Sequence, residues 1–185
     1  MDLSSINEIW EIIKEIEGGY VNNPLDHGGE TKYGISAATY PDIDIKNLTP
    51  EDALQIFYKD YFIPLRCDWW LSIGRKDIAL LISCFAFNTG NKNSGHKPTI
   101  KILQRLINTI NGKDILIVDG KLGPKTMEKI ELLKEPLLTK TNFKERLGNF
   151  MRAYYINLTQ FSVFGREWMI RMNTCLEAFQ PIMTI

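Results

Sequence analysis

The twenty residues "EGGYVNNPLDHGGETKYGIS", from Glu17 to Ser36, interrupt a sequence whose pattern is otherwise helical. They combine five glycines and a proline with three carboxylates, two tyrosines and a histidine. The turn signals "NNP" and "HGG" disfavour a regular helix and favour a short hairpin. Core packing does not require this mixture of residues, so the stretch is either an irregular loop or a place where acidic groups are held for chemistry.

The helix that precedes this stretch is well defined by its pattern. Isoleucines recur at positions 6, 9, 13 and 16, which is helical spacing, and Ser5 with Glu8 forms an S-x-x-E capping box. Gly18 and Gly19 then supply a stop, because glycine enters the left-handed region without steric penalty. Glu17 is therefore expected at the carboxyl end of the first helix.

The rest of the chain predicts a mainly α fold with at most a small hairpin near the opening stretch. The segment from Ile78 to Phe87 is apolar nearly all round, which is typical of a central buried helix. Other helices are predicted from their boundary residues: one with Thr49 as N-cap and Pro50 as first residue, one starting at Pro124, one capped by Asn142, and a last one around Arg166 to Phe179.

Composition excludes some classes of partner. The chain has 185 residues and a formal net charge of zero, so it lacks the basic excess of a protein that binds duplex nucleic acid. The N-terminus has an acid where a signal peptide needs basic residues, and the longest apolar run is too short to span a bilayer. We expect synthesis in the cytoplasm and no integral membrane segment.

Cysteine and histidine usage predicts neither a disulfide nor a metal site. Cys67, Cys84 and Cys175 have no motif spacing, and the last two lie among apolar residues, so buried reduced thiols are expected. His27 and His96 are far apart and lack metal-ligand spacing. No metal or cofactor is predicted.

Glu17 is the first candidate catalytic residue. A carboxylate at a helix C-terminus faces the negative end of the macrodipole and unpaired carbonyl groups, and nearby tyrosines would partly bury it. These effects raise the pKa of a carboxyl group, as a general acid requires. The alternative is a solvated residue at a frayed helix end.

Asp26 and Thr31 are the second and third candidates. Asp26 follows Glu17 by nine residues, and a chain that doubles back would place it across a cleft from Glu17. Thr31 adds a hydroxyl able to hold a water or a sugar hydroxyl. A protonated acid and an ionised acid with space between them are the design of an inverting glycosidase. Alternatively, Asp26 forms an Asx-turn within its own loop.

The opening stretch resembles the signature of glycoside hydrolase family 108, the muramidase-like bacterial and phage proteins also called secretion activator proteins. Later segments are similar to that family in the same order: "LTPEDALQIFYKDYFIPLRCDWW", "FAFNTG", "VDGKLGPKT" and "FGREWMIRMN". The resemblance covers nearly the whole chain. It implies a lysozyme-like fold and a C-terminal part that binds peptidoglycan.

Carried over onto this sequence, the resemblance makes Glu17 the catalytic acid and implicates Tyr20 and Tyr33 in a saccharide groove. Phage-type lysozymes show a similar order of Glu-Gly, Asp, Thr and Gly-Ile, here with the threonine about one position out of register. Asn88 would hydrogen-bond an N-acetyl group, although a helix C-cap is equally natural for it. Cys84 stands where the resemblance leads us to expect an acid.

The sequence thus predicts a peptidoglycan hydrolase that cleaves between N-acetylmuramic acid and N-acetylglucosamine. The rival hypotheses are a lytic transglycosylase on the same scaffold and a non-catalytic module for cell-wall binding or secretion. We expect a catalytic region at residues 1–94 and a C-terminal helical, peptidoglycan-binding-like region at 95–185, sharing one core. The protein would act on the cell wall after export or lysis, with a holin or secretion apparatus as partner.

Overall fold

A computed structural model describes residues 3–22, 29–89, 96–133 and 142–179. Within these ranges the chain forms helices joined by short turns, with one small sheet. The helices are α1 (Leu3–Glu17), α2 (Pro50–Phe57), α3 (Cys67–Ser72), α4 (Lys76–Thr89), α5 (Lys97–Asn111), α6 (Pro124–Leu132), α7 (Asn142–Ile156) and α8 (Phe161–Glu177). A π-helical turn, Tyr58–Phe62, continues α2. The strands are β1 (Thr31–Lys32) and β2 (Ile35–Ser36).

Most of the predicted helix boundaries are confirmed. Thr49 caps α2 by accepting a hydrogen bond from the Asp52 backbone N–H at 3.1 Å, and Pro50 is the first residue of that helix. Pro124 likewise begins α6. The predicted cap at Ser5 is wrong: α1 already includes Leu3, so Ser5 lies inside the helix.

Helix α4 is the centre of the core, as its apolar sequence predicts. Every residue from Ile78 to Phe87 is buried, and α4 contacts α1, α3, α5, α7 and α8. A helix surrounded on all sides needs apolar residues all round, which is why the amphipathic pattern is absent here. Residues on both sides of α4 in the sequence, from Ile6 to Leu176, form one hydrophobic cluster.

The predicted hairpin is present and follows the first helix closely. β1 and β2 pair antiparallel, with Thr31 opposite Ser36 and Lys32 opposite Ile35. The two connecting residues, Tyr33 and Gly34, both have positive φ, 51° and 77°, as a two-residue turn of the primed type requires. Tyr33 is thus held in a conformation that few non-glycine residues adopt.

A backbone bridge ties this hairpin to the end of α1. The N–H and C=O groups of Val21 and Thr31 hydrogen-bond each other at 2.8 and 2.9 Å. The two ends of segment 22–30, which we call the excursion, therefore lie side by side near the end of α1. This bridge fixes the hairpin beside the last turn of α1.

The "VDGKLGPKT" segment is a turn held down by one buried side chain from α5. Gln104 accepts a hydrogen bond from the Gly120 N–H at 2.9 Å and donates to Asp119 Oδ1 at 2.9 Å and to the Lys121 carbonyl at 3.1 Å. Gly120 has φ of 76°, and a Cβ there would lie 3.2 Å from Lys97. Asp119 therefore stabilises a turn that leads into α6.

These elements confirm the predicted class, a mainly α, lysozyme-like fold with a small β-hairpin. In the described ranges, no helix has the length and apolar character needed to cross a membrane. The predicted boundary at residue 94 falls in segment 90–95, outside the described residues, and the two-region division stays a prediction.

Candidate active site

Glu17 is the last residue of α1, as predicted. Gly18 follows it in the left-handed region with φ of 77°, and the Gly18 N–H closes the last turn on the Lys14 carbonyl at 3.0 Å. The sequence left open a solvated residue at a frayed helix end. Instead, the Glu17 side chain is only 9% exposed, because three other elements pack around it.

The hairpin turn forms one wall of the Glu17 site. A Cβ built on Gly34 would lie 2.9 Å from Glu17 Cγ and 2.4 Å from Phe87 Cε1, so the turn backbone touches both side chains. Phe87 is fixed in turn by edge-on contacts with three rings, those of Trp10, Phe57 and Tyr61. Only glycine satisfies both the positive φ and the close approach at position 34.

Arg171 from α8 and Asn88 from α4 supply the polar contacts. Arg171 Nη1 lies 3.3 Å from Glu17 Oε1 and donates a short hydrogen bond to Asn88 Oδ1. Asn88 also hydrogen-bonds the Glu17 carboxyl group and donates to the Cys84 carbonyl at 3.1 Å. The three side chains form a connected network, which we call the Glu17 cluster.

The pKa of Glu17 is raised above its ordinary value, and burial is the main cause. Arg171 and the hydrogen bond from Asn88 act in the opposite direction, since both stabilise the ionised form. The direction matches the sequence prediction, but its main cause is burial by residues distant in sequence. The site therefore holds a carboxyl group that keeps its proton more readily than an exposed glutamate does.

The other predicted site residues lie along the bridge and the hairpin. Tyr20 is 41% exposed, and its hydroxyl donates to Glu30 Oε1 at 2.8 Å. The Thr31 hydroxyl donates to the Gly29 carbonyl at 3.4 Å, which leaves its oxygen free to accept a further hydrogen bond. Tyr33 occupies the turn itself. Asp26 lies outside the described residues, as does His27.

A groove of about 670 Å³ runs between α1 and α8 on one side of this site. Four of its lining residues are apolar and three are glutamates. Its lining residues are Ile12, Glu15, Ile16, Glu167, Ile170, Arg171, Thr174, Glu177 and Ala178. Arg171 belongs to both the groove and the Glu17 cluster, whereas Glu17 does not line the groove. Arg171 is therefore the residue that links the groove to the acid.

Sequence reasoning assigned no role to Arg171 or Gly34. Arg171 lies 154 residues after Glu17, so no local pattern links them; the one available signal was its place in the "FGREWMIRMN" segment. Gly34 was indicated by the hairpin pattern but not as a contact of the acid. Cys84, where an acid was expected, is buried within α4 and faces Cys175.

Residues 10–90 match the family model of glycosyl hydrolase 108. This part of the chain is therefore similar to that family. The matched glycosyl hydrolase 108 region contains Glu17, the hairpin and Asn88, and Arg171 reaches it from α8, beyond its end. The match supports glycoside hydrolase activity.

The whole chain is also similar to a solved structure, that of SagA from Brucella abortus. The two share 24% sequence identity and superpose with a TM-score of 0.70, covering 94% of this chain and 92% of SagA. The likeness shows that the fold extends beyond the glycosyl hydrolase 108 region to nearly the full length. A comparison with curated proteins gave no significant match.

Within the described residues, no group of three or more histidine, cysteine, aspartate or glutamate side chains is arranged to hold a metal ion.

Proposed function

We propose that the protein is a muramidase, which hydrolyses the glycan of bacterial peptidoglycan between N-acetylmuramic acid and N-acetylglucosamine. One observation carries the proposal: the glycosyl hydrolase 108 region holds a single glutamate at a helix end, 9% exposed and with a raised pKa. A carboxyl group whose pKa is raised keeps its proton more readily, as the general acid of glycosidic bond cleavage must.

In the proposed reaction Glu17 donates its proton to the glycosidic oxygen as the bond from that oxygen to the anomeric carbon breaks. Positive charge develops on the sugar ring, and water adds to the anomeric carbon while its proton passes to a base. The Glu17 carboxylate left behind is stabilised by Arg171 at 3.3 Å and by Asn88. These two residues lower the free energy of the ionised acid, so they favour proton release during the reaction.

The remaining roles are assigned to the excursion and the hairpin. Asp26 would act on the attacking water or stabilise the oxocarbenium-like transition state, and the Thr31 oxygen would accept a hydrogen bond from that water. Tyr20 would stack on a pyranose ring, since its side chain is 41% exposed. Tyr33 would line the same groove, and Asn88 would contact an N-acetyl group.

The test is release of reducing ends from purified sacculi by Glu17→Gln. This change keeps the side chain's shape but removes the transferable proton, so we expect a loss of at least about 10²-fold in activity. Glu11→Gln is the matched control, because Glu11 lies on the same helix and its side chain is 56% exposed. A folded Glu17→Gln variant with unchanged activity would refute the assignment.

For Asp26→Asn we expect a smaller loss of activity than for Glu17→Gln. Full activity of this variant would show that Asp26 is only a loop residue.

The main alternative is a lytic transglycosylase, which needs one acid and no water. The described residues supply one such acid, Glu17, with a raised pKa. The two reactions leave different products, a reducing end for hydrolysis and an anhydro sugar for transglycosylation. Mass spectrometry of the digested muropeptides distinguishes them. A non-catalytic cell-wall module would sediment with sacculi without releasing fragments.

The substrate proposal also sets the place of action. Peptidoglycan lies outside the cytoplasmic membrane, so the protein would reach it after export or lysis, with a holin or secretion apparatus providing passage. Residues 95–185 would add binding to peptidoglycan. Sedimentation of the Glu17→Gln variant with intact sacculi tests that binding without fragment release.

A further inference from the structure

We propose that Cys84 and Cys175 form an internal disulfide when the protein folds in an oxidising compartment, while Cys67 remains a thiol. In the reduced chain the Sγ atoms of Cys84 and Cys175 lie 2.7 Å apart. A covalent S–S bond is about 2.05 Å long, so the two sulfur atoms need to move only slightly closer to bond.

The two cysteines belong to the same helix contact as the Glu17 cluster. Cys84 and Asn88 are one turn apart on α4, and Arg171 and Cys175 are one turn apart on α8. Asn88 contacts Arg171, and Cys84 contacts Cys175, so the antiparallel helices meet in two successive pairs. A bond between the sulfurs would therefore fix α8 against α4 one turn from the guanidinium group that touches Glu17.

Cys67 provides an internal contrast. It is fully buried in α3 and its thiol donates to the Ala79 carbonyl at 3.7 Å, an ordinary thiol contact. Cys67 is thus a thiol that packs as a small apolar residue. Only the Cys84–Cys175 pair, separated by 91 residues in sequence, brings two sulfurs together.

The oxidation is a thiol–disulfide exchange with an external disulfide of the glutathione class. One cysteine thiolate attacks that disulfide and forms a mixed disulfide. The second cysteine thiolate then displaces the remaining thiol. One S–S bond forms as another breaks. The two cysteines lose two electrons and two protons, and the reagent leaves as two thiols. Cys84 is 2% exposed and Cys175 is fully buried, so the exchange must occur while the chain is still folding.

To test this, the full chain is refolded from denaturant in two parallel samples. One contains an excess of oxidised glutathione and the other an excess of reduced glutathione. Each sample is then denatured, alkylated and mapped by mass spectrometry. We expect one alkylated cysteine, Cys67, after oxidative refolding, together with a cross-linked peptide pair containing Cys84 and Cys175. After reductive refolding we expect three alkylated cysteines. Three free thiols in both samples, a glutathione adduct, or a cross-link through Cys67 would overturn the proposal.

Urea unfolding supplies a second measurement. A bond that closes a loop of 91 residues restricts the unfolded chain, so the oxidised protein should unfold at a midpoint higher by about 1 M urea. The Cys67→Ser control should keep this difference between oxidised and reduced protein, and Cys175→Ser should abolish it. Equal midpoints in oxidised and reduced wild type would contradict the proposal. If Cys175→Ser fails to fold, the wild-type comparison and peptide map decide.

Discussion

Arg171 Nη1 lies 3.3 Å from Glu17 Oε1 and thereby joins α8 to the carboxyl end of α1, across 154 residues of sequence. An acid that must stay protonated gains nothing from a neighbouring cation in its resting state. In the proposed reaction the contact instead stabilises the carboxylate that remains after proton transfer. The opposing effects of burial and Arg171 set the pKa of Glu17 between those of an exposed and an isolated buried glutamate.

Replacement of Arg171 by alanine should move the alkaline limb of the pH–activity profile to higher pH. Arg171 lowers the pKa of Glu17, so its removal raises that pKa further, and the active protonated form persists to higher pH. This displacement is measured in the pH dependence of kcat/KM on sacculi fragments. Arg166→Ala, an exposed change on the same helix, is the control. A limb that stays in place or moves to lower pH would contradict the proposed role.

Replacement of Gly34 by alanine should destabilise the protein and disturb Glu17. The new Cβ would lie 2.4 Å from Phe87 Cε1 and 2.9 Å from Glu17 Cγ, and the backbone has φ of 77°. We expect a loss of about 3 kcal/mol in the free energy of unfolding, from backbone strain and overpacking together.

Gly74→Ala is the matched control for Gly34. Gly74 has nearly the same φ, 75°, but a Cβ there meets nothing within 4 Å. Its replacement should show the backbone strain alone, about 1 kcal/mol. Urea unfolding of both variants measures the difference, and equal losses would show that the close approach at Gly34 contributes nothing.

Replacement of Gln104 by alanine should loosen the turn before α6. The Gly120 N–H would lose its buried acceptor, and Asp119 and the Lys121 carbonyl would lose a shared donor. We expect a loss of about 2–4 kcal/mol in the free energy of unfolding. Asn111→Ala is the control, because Asn111 is exposed and bonds back to Ile107 of the same helix. Similar losses in both variants would argue against the role of Gln104.

His96 should make the protein less stable in mild acid. Its Nε2 contacts the Asp60 carbonyl at 2.6 Å, while its buried Nδ1 has no partner among the described residues, and burial lowers its pKa. The unfolded state therefore binds the proton more tightly. The stabilising contribution is complete above the unfolded pKa of about 6.5 and is lost as the pH falls toward the lower folded pKa.

The measurement compares unfolding free energies at about pH 7.5 and about pH 5.5. We expect the wild type to lose about 1 kcal/mol more than His96→Gln over this interval. His27→Gln, which removes the other histidine, should behave like the wild type. An equal pH dependence in wild type and His96→Gln would exclude His96 as the cause.

The sequence predicted local features well and distant contacts poorly. Local features depend on residues within a few positions of one another. They include the N-cap Thr49 with Pro50 after it, the buried helix α4 and the hairpin near Tyr33. The end of α1 at Glu17 was predictable for the same reason, because Gly18 directly follows it. The start of that helix was wrong, because a capping-box pattern at Ser5 also fits residues inside a helix.

The composition of the Glu17 cluster was not predictable from local pattern. Arg171 comes from the last described helix, and nothing in its own surroundings distinguishes it from other arginines on an amphipathic helix. The burial of Glu17 likewise depends on Phe87 and on the turn at Gly34, which only tertiary packing brings together. Packing of distant residues therefore makes Glu17 a nearly buried acid beside a groove.

The paired backbone groups of Val21 and Thr31 have a consequence for how such a protein diverges. Because both ends of the excursion are fastened at one place, its length can change without altering the direction in which the chain enters the hairpin. We expect insertions or deletions between these two anchors to leave Glu17 where it is. The surface next to the acid can then change through this one segment, while the helices beneath it stay the same.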